Sequence, residues 1–184
     1  MVKKITKTKY NYIEPFLTTR EQLHLLEISR RLNENHATVR KYLNEFENQG
    51  ILKKQEKGKL TLYSLNYDST LLIDILVLAE KEKLIKKMNK NLILEEFVFE
   101  IHKLTNKSLI IFGSATEDIE KANDIDILSM DKNLDYKKLE KKFNLDIHFN
   151  YASSLKSVSE TLKNEILKKH LIVNNSEEVV KWLI

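Results

Sequence analysis

The sequence predicts an α+β chain: a helical front part closed by a β-hairpin, connecting helices, and a small mixed sheet with flanking helices. Three observations predict it. Apolar residues recur at helical spacing between capping residues over positions 25–48. Two strand-like runs then meet across Glu56-Lys57-Gly58-Lys59. Further on, Leu109-Ile110-Ile111-Phe112 ends in Gly113-Ser114, and a polar loop leads to Asp124-Ile125-Asp126 and later to Leu145-Asp146-Ile147-His148-Phe149. The expected divisions are residues 1–68, a linking stretch 69–107, and residues 108–184.

Along the front part, a basic strip precedes residues 11–17, which read as a short helix around Pro15. Thr18-Thr19 followed by Glu21-Gln22 reads as the capped start of a helix through Leu32. Leu25, Ile28 and Leu32 share one face of that helix, with Arg30 and Arg31 outward. Asn33-Glu34-Asn35 is a turn, Asn35 the N-cap of a second helix over residues 36–48, and Gly50 its stop. Val39, Leu43 and Phe46 form the buried stripe of this second helix. Residues 51–55 and 60–65 are the hairpin strands.

Residues 69–88 are strongly helical and apolar almost all round 71–79, so that helix is expected to be buried on more than one side, between domains or against a second subunit. The next helix carries Leu94, Phe97, Val98, Ile101 and Leu104 on one stripe. Beyond the aspartate pair, 131–143 reads as a charged amphipathic helix, 145–149 as a strand and 153–167 as a helix. A last helix is capped by Ser176, has Glu177 and Glu178 in its first turn, and uses Trp182 as a packing anchor.

Composition bounds the chemistry. Cysteine is absent, which excludes disulfides and thiolate zinc sites and makes a cytoplasmic setting the expectation. The longest apolar stretch, 71–79, is interrupted by Asp74 and falls far short of the roughly 18 residues of a membrane helix, so no membrane partner is expected. Residues 1–68 carry 13 Lys and Arg against 8 Asp and Glu, and the remainder 18 against 19, which assigns a polyanionic partner to the front part.

The carboxylates carry the chemistry of the back part. Side chains alternate along a strand, so Asp124 and Asp126 point one way while Ile125 and Ile127 point to the core. Leu145, Ile147 and Phe149 are inward by the same reasoning, with Asp146 on the polar face. Three carboxylates on one sheet repel unless a divalent cation sits among them, and Mg²⁺ is held by carboxylates together with substrate phosphates. Gly113 permits close backbone approach, and Ser114 adds a hydroxyl at a turn whose N–H groups suit a phosphate. His148 shares the face of Asp146. It reads as a structural or solvent-facing histidine, with contact to a nucleotide or metal as the alternative.

Over residues 108–149 these motifs resemble the nucleotidyltransferase superfamily typified by DNA polymerase beta, and within it the small prokaryotic minimal nucleotidyltransferases. Their signature is a strand, Gly-Ser, a loop, Asp-x-Asp and a third Asp on a later strand. The resemblance implies that Gly113, Ser114 and Lys121 hold the triphosphate of a nucleoside triphosphate, taken as ATP. Asp124 and Asp126 would bind two Mg²⁺ ions, and Asp146 would complete the catalytic metal site. The loop 115–123 is slightly shorter than the pattern and lacks an Arg-Gly after Gly-Ser, leaving Lys121 as its only cation. Proteins of this kind include antitoxins that adenylylate a toxin of the helical HEPN type and transferases acting on antibiotics or RNA. No RNA- or sugar-binding pattern follows Phe149, so the expected acceptor is a protein such as a HEPN-type toxin.

Residues 25–66 resemble the winged helix-turn-helix of prokaryotic transcription regulators. That resemblance implies binding of double-stranded DNA, with the second helix in the major groove and Ala37, Thr38, Arg40, Lys41 and Asn44 toward bases and phosphates. Lys53, Lys54, Lys57 and Lys59 would touch the backbone, and a homodimer would read two half-sites. A wing used for protein contacts is the alternative. For the whole chain, the alternative to an enzyme is a DNA-binding regulator whose nucleotidyltransferase fold only senses nucleotide or holds a partner. A third reading is an antitoxin acting by occlusion alone.

Overall fold

A computed structural model describes residues 8–184; the basic strip at residues 1–7 lies outside them. Among the described residues the fold is α+β, with seven α-helices and two small sheets. Contacts divide the chain into two compact units, the first ending at Ala79 and the second running Glu80–Ile184.

In the first unit, α1 (Leu25–Leu32) and α2 (His36–Asn48) are joined by a turn at Asn33, which adopts the left-handed conformation with φ 49°. Asn35 Oδ1 accepts the Thr38 N–H at 2.8 Å, which caps α2. Val39, Leu43 and Phe46 are fully buried, and Tyr42 stacks on Tyr12 at 4.2 Å. The hairpin β2 (Leu52–Lys57) and β3 (Leu60–Leu65) turns through Gly58-Lys59, where Gly58 has φ +62°. The turn is therefore shorter than the sequence suggests, because Glu56 and Lys57 pair with Thr61 and Leu60.

The helix expected from Thr18 begins only at Leu25. Its would-be first turn is a strand, β1 (Leu23–His24), paired with Tyr63 and Leu62 of β3, and His24 Nδ1 accepts the Leu26 N–H as the cap. Residues 11–17 form parts of two short 3₁₀ turns, Lys9–Tyr12 and Glu14–Thr18.

Helix α3 (Leu72–Met88) contains the boundary between units. In the second unit, α4 (Leu92–Leu104), α5 (Tyr136–Phe143), α6 (Glu160–Lys168) and α7 (Ser176–Leu183) surround a four-stranded sheet. Its strands are β4 (Leu109–Phe112), β5 (Asp124–Ser129), β6 (Asp146–Tyr151) and β7 (His170–Asn174), in the order β6-β5-β4-β7. Only β5 and β6 are parallel, so the sheet is mixed. One face packs Ile111, Ile125, Ile127 and Ile147 against Leu94, Phe97, Ile101 and Leu139. Phe97 meets Phe143 edge-on at 5.2 Å and Tyr136 stacks on Phe149 at 4.7 Å.

Four expectations are corrected here. Helix α5 starts at Tyr136 and not at 131, because the Asp131 carboxylate is taken by Thr105 Oγ1 and the Asn133 N–H, and Asp135 supplies the cap. Helix α6 starts at Glu160, capped by Ser159, and a 3₁₀ turn Leu155–Ser157 precedes it. The strand β7 has no counterpart in the sequence reading. Asn175, in the left-handed conformation, is the N-cap residue of α7, while Ser176 is its buried first residue. Among the described residues no helix is long and apolar enough to cross a membrane.

Candidate functional site

The exposed half of the sheet's second face builds the candidate site. Residues opposite each other on neighbouring strands share a face. Asp124 lies opposite Asp146, Asp126 opposite both His148 and Phe112, and Phe112 opposite His170. Two rows result: Asp146 beside Asp124, and His148, Asp126, Phe112 and His170 across four strands. The alternation that buries Ile125 and Ile127 places both β5 aspartates on this face, one in each row.

Gly113 follows Phe112 at φ +74°, a conformation that glycine adopts without steric cost. It also makes room: a Cβ at this position would lie 2.7 Å from Asp126 Oδ2. The Gly113 N–H donates to the Lys169 carbonyl at 3.2 Å, so that amide is engaged by β7's approach and not offered to a ligand. Ser114 is exposed in the single 3₁₀ turn Gly113–Thr116, which Thr116 Oγ1 braces by donating to the Gly113 carbonyl at 2.8 Å.

His148 Nδ1 lies 3.3 Å from Asp124 Oδ2 and 3.5 Å from Asp126 Oδ1. Burial raises the Asp126 pKa above its ordinary value, and the Asp124 charge raises it further; His148 opposes both, and Glu165 on α6 adds to the rise. Asp146 is the exposed member of the set. Lys121 is turned to Asp118 at 3.0 Å within its own loop. Among the described residues, no group of three or more His, Cys, Asp or Glu side chains is disposed to hold a metal ion as it stands. The donor chemistry nonetheless suits Mg²⁺, since the three aspartates supply hard oxygens in two adjacent registers.

Sequence reasoning missed two contributors to this face. Glu165, on a helix about forty residues further along the chain, acts on Asp126 through its charge, a relation no spacing rule spans. The other is a buried charge cluster at the end of the second row: His170 Nε2 lies 2.8 Å from Glu80 Oε1, Lys83 Nζ 2.7 Å from Glu80 Oε2, and His170 Nδ1 2.8 Å from the Ile166 carbonyl. Despite burial, Lys83 and His170 hold the Glu80 carboxyl down to about 2.

In the first unit, Ala37, Arg40 and Lys41 are exposed on the side of α2 away from its buried stripe, and Thr38 is half-buried there. Asn44 is less available, because its Oδ1 accepts the Tyr63 hydroxyl at 3.2 Å. On the hairpin, Lys53 pairs with Asp68 at 2.7 Å and Lys54 with Glu56 at 3.7 Å, while Lys57 and Lys59 stand exposed at the tip.

Comparison of the chain with family models, with curated proteins and with solved structures finds no match. The functional reading therefore rests on this geometry and on the sequence resemblances.

Proposed function

We propose that the chain is a Mg²⁺-dependent nucleotidyltransferase that moves a nucleoside monophosphate from ATP to a protein acceptor, and that its first unit binds double-stranded DNA as a winged helix-turn-helix. The observation that supports the enzyme reading is that Asp146 lies opposite Asp124 with Asp126 two residues further along the same strand face, beside a glycine whose missing Cβ leaves room for the Asp126 carboxylate. Burial and the neighbouring Asp124 charge raise the Asp126 pKa, and a carboxylate held against such a cost is a mark of a functional site.

In this reading Asp124, Asp126 and Asp146 would hold two Mg²⁺ ions, which would supply neutralisation of phosphate charge and activation of an acceptor hydroxyl. The Gly113-Ser114 turn receives the triphosphate. The acceptor hydroxyl would give up its proton to solvent and its oxygen would bond the α-phosphorus as the bond to pyrophosphate breaks; Asp146 is the exposed carboxylate of the three. The coupling to DNA and a HEPN-type toxin as acceptor make an antitoxin-like regulator the whole-chain reading, dimeric when bound to a two-half-site operator.

A specific observation favours the second reading, a regulator that binds nucleotide or a partner without transfer: His148 rests against both aspartates, and Lys121 is committed to Asp118. Incubating the purified chain with labelled ATP and Mg²⁺, alone and with candidate toxins, separates the two. Label transfer that disappears in Asp124→Ala and Asp126→Ala supports the enzyme. Tight DNA binding without transfer to any acceptor supports the regulator.

A further inference from the structure

The four-stranded sheet ends at β6, whose inner side pairs in parallel with β5 and whose outer side has no strand among the described residues. In a parallel ladder each residue turns both of its backbone groups to the same side, and successive residues alternate. The Ala152 N–H donates to the Ser129 carbonyl, so the even-numbered positions face β5 and the odd-numbered ones face outward. The outward Ile147 N–H is met by Glu140 Oε1 of α5 at 3.1 Å. Beyond it, the N–H and C=O groups of Phe149 and Tyr151 have no hydrogen-bond partner among the described residues.

Edge strands are ordinarily defended by lysines, by proline or by a covering element. Strand β2, also at an edge, carries Lys53, Lys54 and Lys57, and β7 is buried from His170 to Val173. Strand β6 has no lysine or proline, is exposed or half-buried at every position but Ile147, and ends on Tyr151, which is 47% exposed. Such an edge is a template for one more strand.

The flank of the edge decides which strand fits. Helix α5 carries four lysines against one glutamate. That glutamate, Glu140, is engaged by Ile147, and Lys142 is engaged by Glu96 and Glu100. Lys137 lies one turn before Glu140 on the same side of the helix, and Lys141 one turn after Lys137. Both are exposed, and neither side chain has an ion pair or hydrogen bond among the described residues. A second copy paired edge to edge would set its own Lys137 and Lys141 against these, whereas a strand that bears carboxylates offsets them. We propose that the outer edge of β6 receives an extended, acidic segment of a partner protein as a fifth strand, hydrogen-bonded to Phe149 and Tyr151. The edge begins at Asp146, so the docked segment lies beside the candidate site, but its binding needs neither metal nor nucleotide.

Two measurements on the whole chain test it. Amide hydrogen exchange in the free chain is expected to be at least about tenfold faster at Phe149 and Tyr151 than at His148 and Asn150. Protection of 149 and 151 in the free chain, whether by a second copy or by residues 1–7, overturns the proposal. A short acetylated and amidated peptide alternating valine with glutamate is then titrated in EDTA and followed by amide NMR. Saturable binding is expected, with shifts centred on residues 149–151 and slowed exchange at both outward amides. A peptide with lysine in place of glutamate binds at least about threefold more weakly, and Lys137→Glu/Lys141→Glu weakens the glutamate peptide by a similar factor. Tyr151→Pro removes one outward N–H without touching the ladder to β5 and abolishes binding; if that variant fails to fold, the charge reversal decides. The proposal is overturned by absence of saturable binding, by shifts centred elsewhere, by a lysine peptide that binds as well, by affinity indifferent to the charge reversal, or by a folded Tyr151→Pro that binds normally. Because the titration needs neither Mg²⁺ nor ATP, it stands apart from the fate of the transferase reading.

Discussion

Gly113 reports directly on the candidate site, because two separate constraints meet there. Its φ of +74° disfavours any side chain, and a Cβ would press on Asp126 Oδ2 at 2.7 Å. Gly113→Ala is expected to lose about 1–2 kcal/mol to the left-handed conformation alone, with a further loss from the clash, seen as a lower urea midpoint. Asp126 makes the opposite prediction. Its folded pKa is raised by burial and by Asp124, so its ionisation works against folding as pH rises from the unfolded value through the folded one. Asp126→Asn should therefore keep or raise the thermal midpoint at neutral pH, by up to about 1 kcal/mol, while any transferase activity disappears. A residue kept for packing would show the reverse, with stability falling. The two aspartates were legible in the sequence because strand alternation needs only local spacing. The neighbours that set their electrostatics were not: His148 reads on its own as an ordinary surface histidine, and Glu165 comes from a separate helix.

The same contrast between local and distant signals separates the elements that sequence reading found from those it missed. Helix α2 is fully encoded at short range, with Asn35 as cap, Val39, Leu43 and Phe46 at helical spacing, and Gly50 in a left-handed stop at φ +70°. Strand β1 has two residues and exists because β3 offers Tyr63 and Leu62 as partners. Strand β7 likewise depends on β4, and its opening His170 is buried only because Glu80, ninety positions earlier, receives it. That buried cluster has a measurable acid dependence. The Glu80 pKa is lowered from 4.5 to about 2, so its stabilisation is complete above pH 4.5 and is lost as pH falls from there toward 2. Glu80→Gln leaves the buried Lys83 ammonium without its counter-charge and is expected to cost about 3–5 kcal/mol. Urea unfolding of wild type and variant at pH 7 and pH 3 checks both statements, since the difference between them should shrink in acid.

The chain's two compact units divide the proposed chemistry between them: the aspartates, Gly113 and the Glu80 cluster belong to the second, and α2 and the hairpin to the first. In the sequence the positive excess lies in residues 1–68. If the first unit binds duplex DNA, its affinity must fall with salt in proportion to the phosphates it neutralises. Within the hairpin, Lys53 already has Asp68 at 2.7 Å, whereas Lys57 and Lys59 stand at the exposed tip of the turn. The double change Lys57→Ala/Lys59→Ala should therefore lower the slope of log affinity against log salt by about 2, near 0.9 for each phosphate contact, and Lys53→Ala should lower it less. Neither change touches a core residue, so stability should stay within about 0.5 kcal/mol of wild type, and any label transfer from ATP should be unaffected. A slope unchanged by the double variant would turn the hairpin from a DNA contact into a surface for protein, and the polyanion would have to be sought on α2, where Arg40 and Lys41 are exposed.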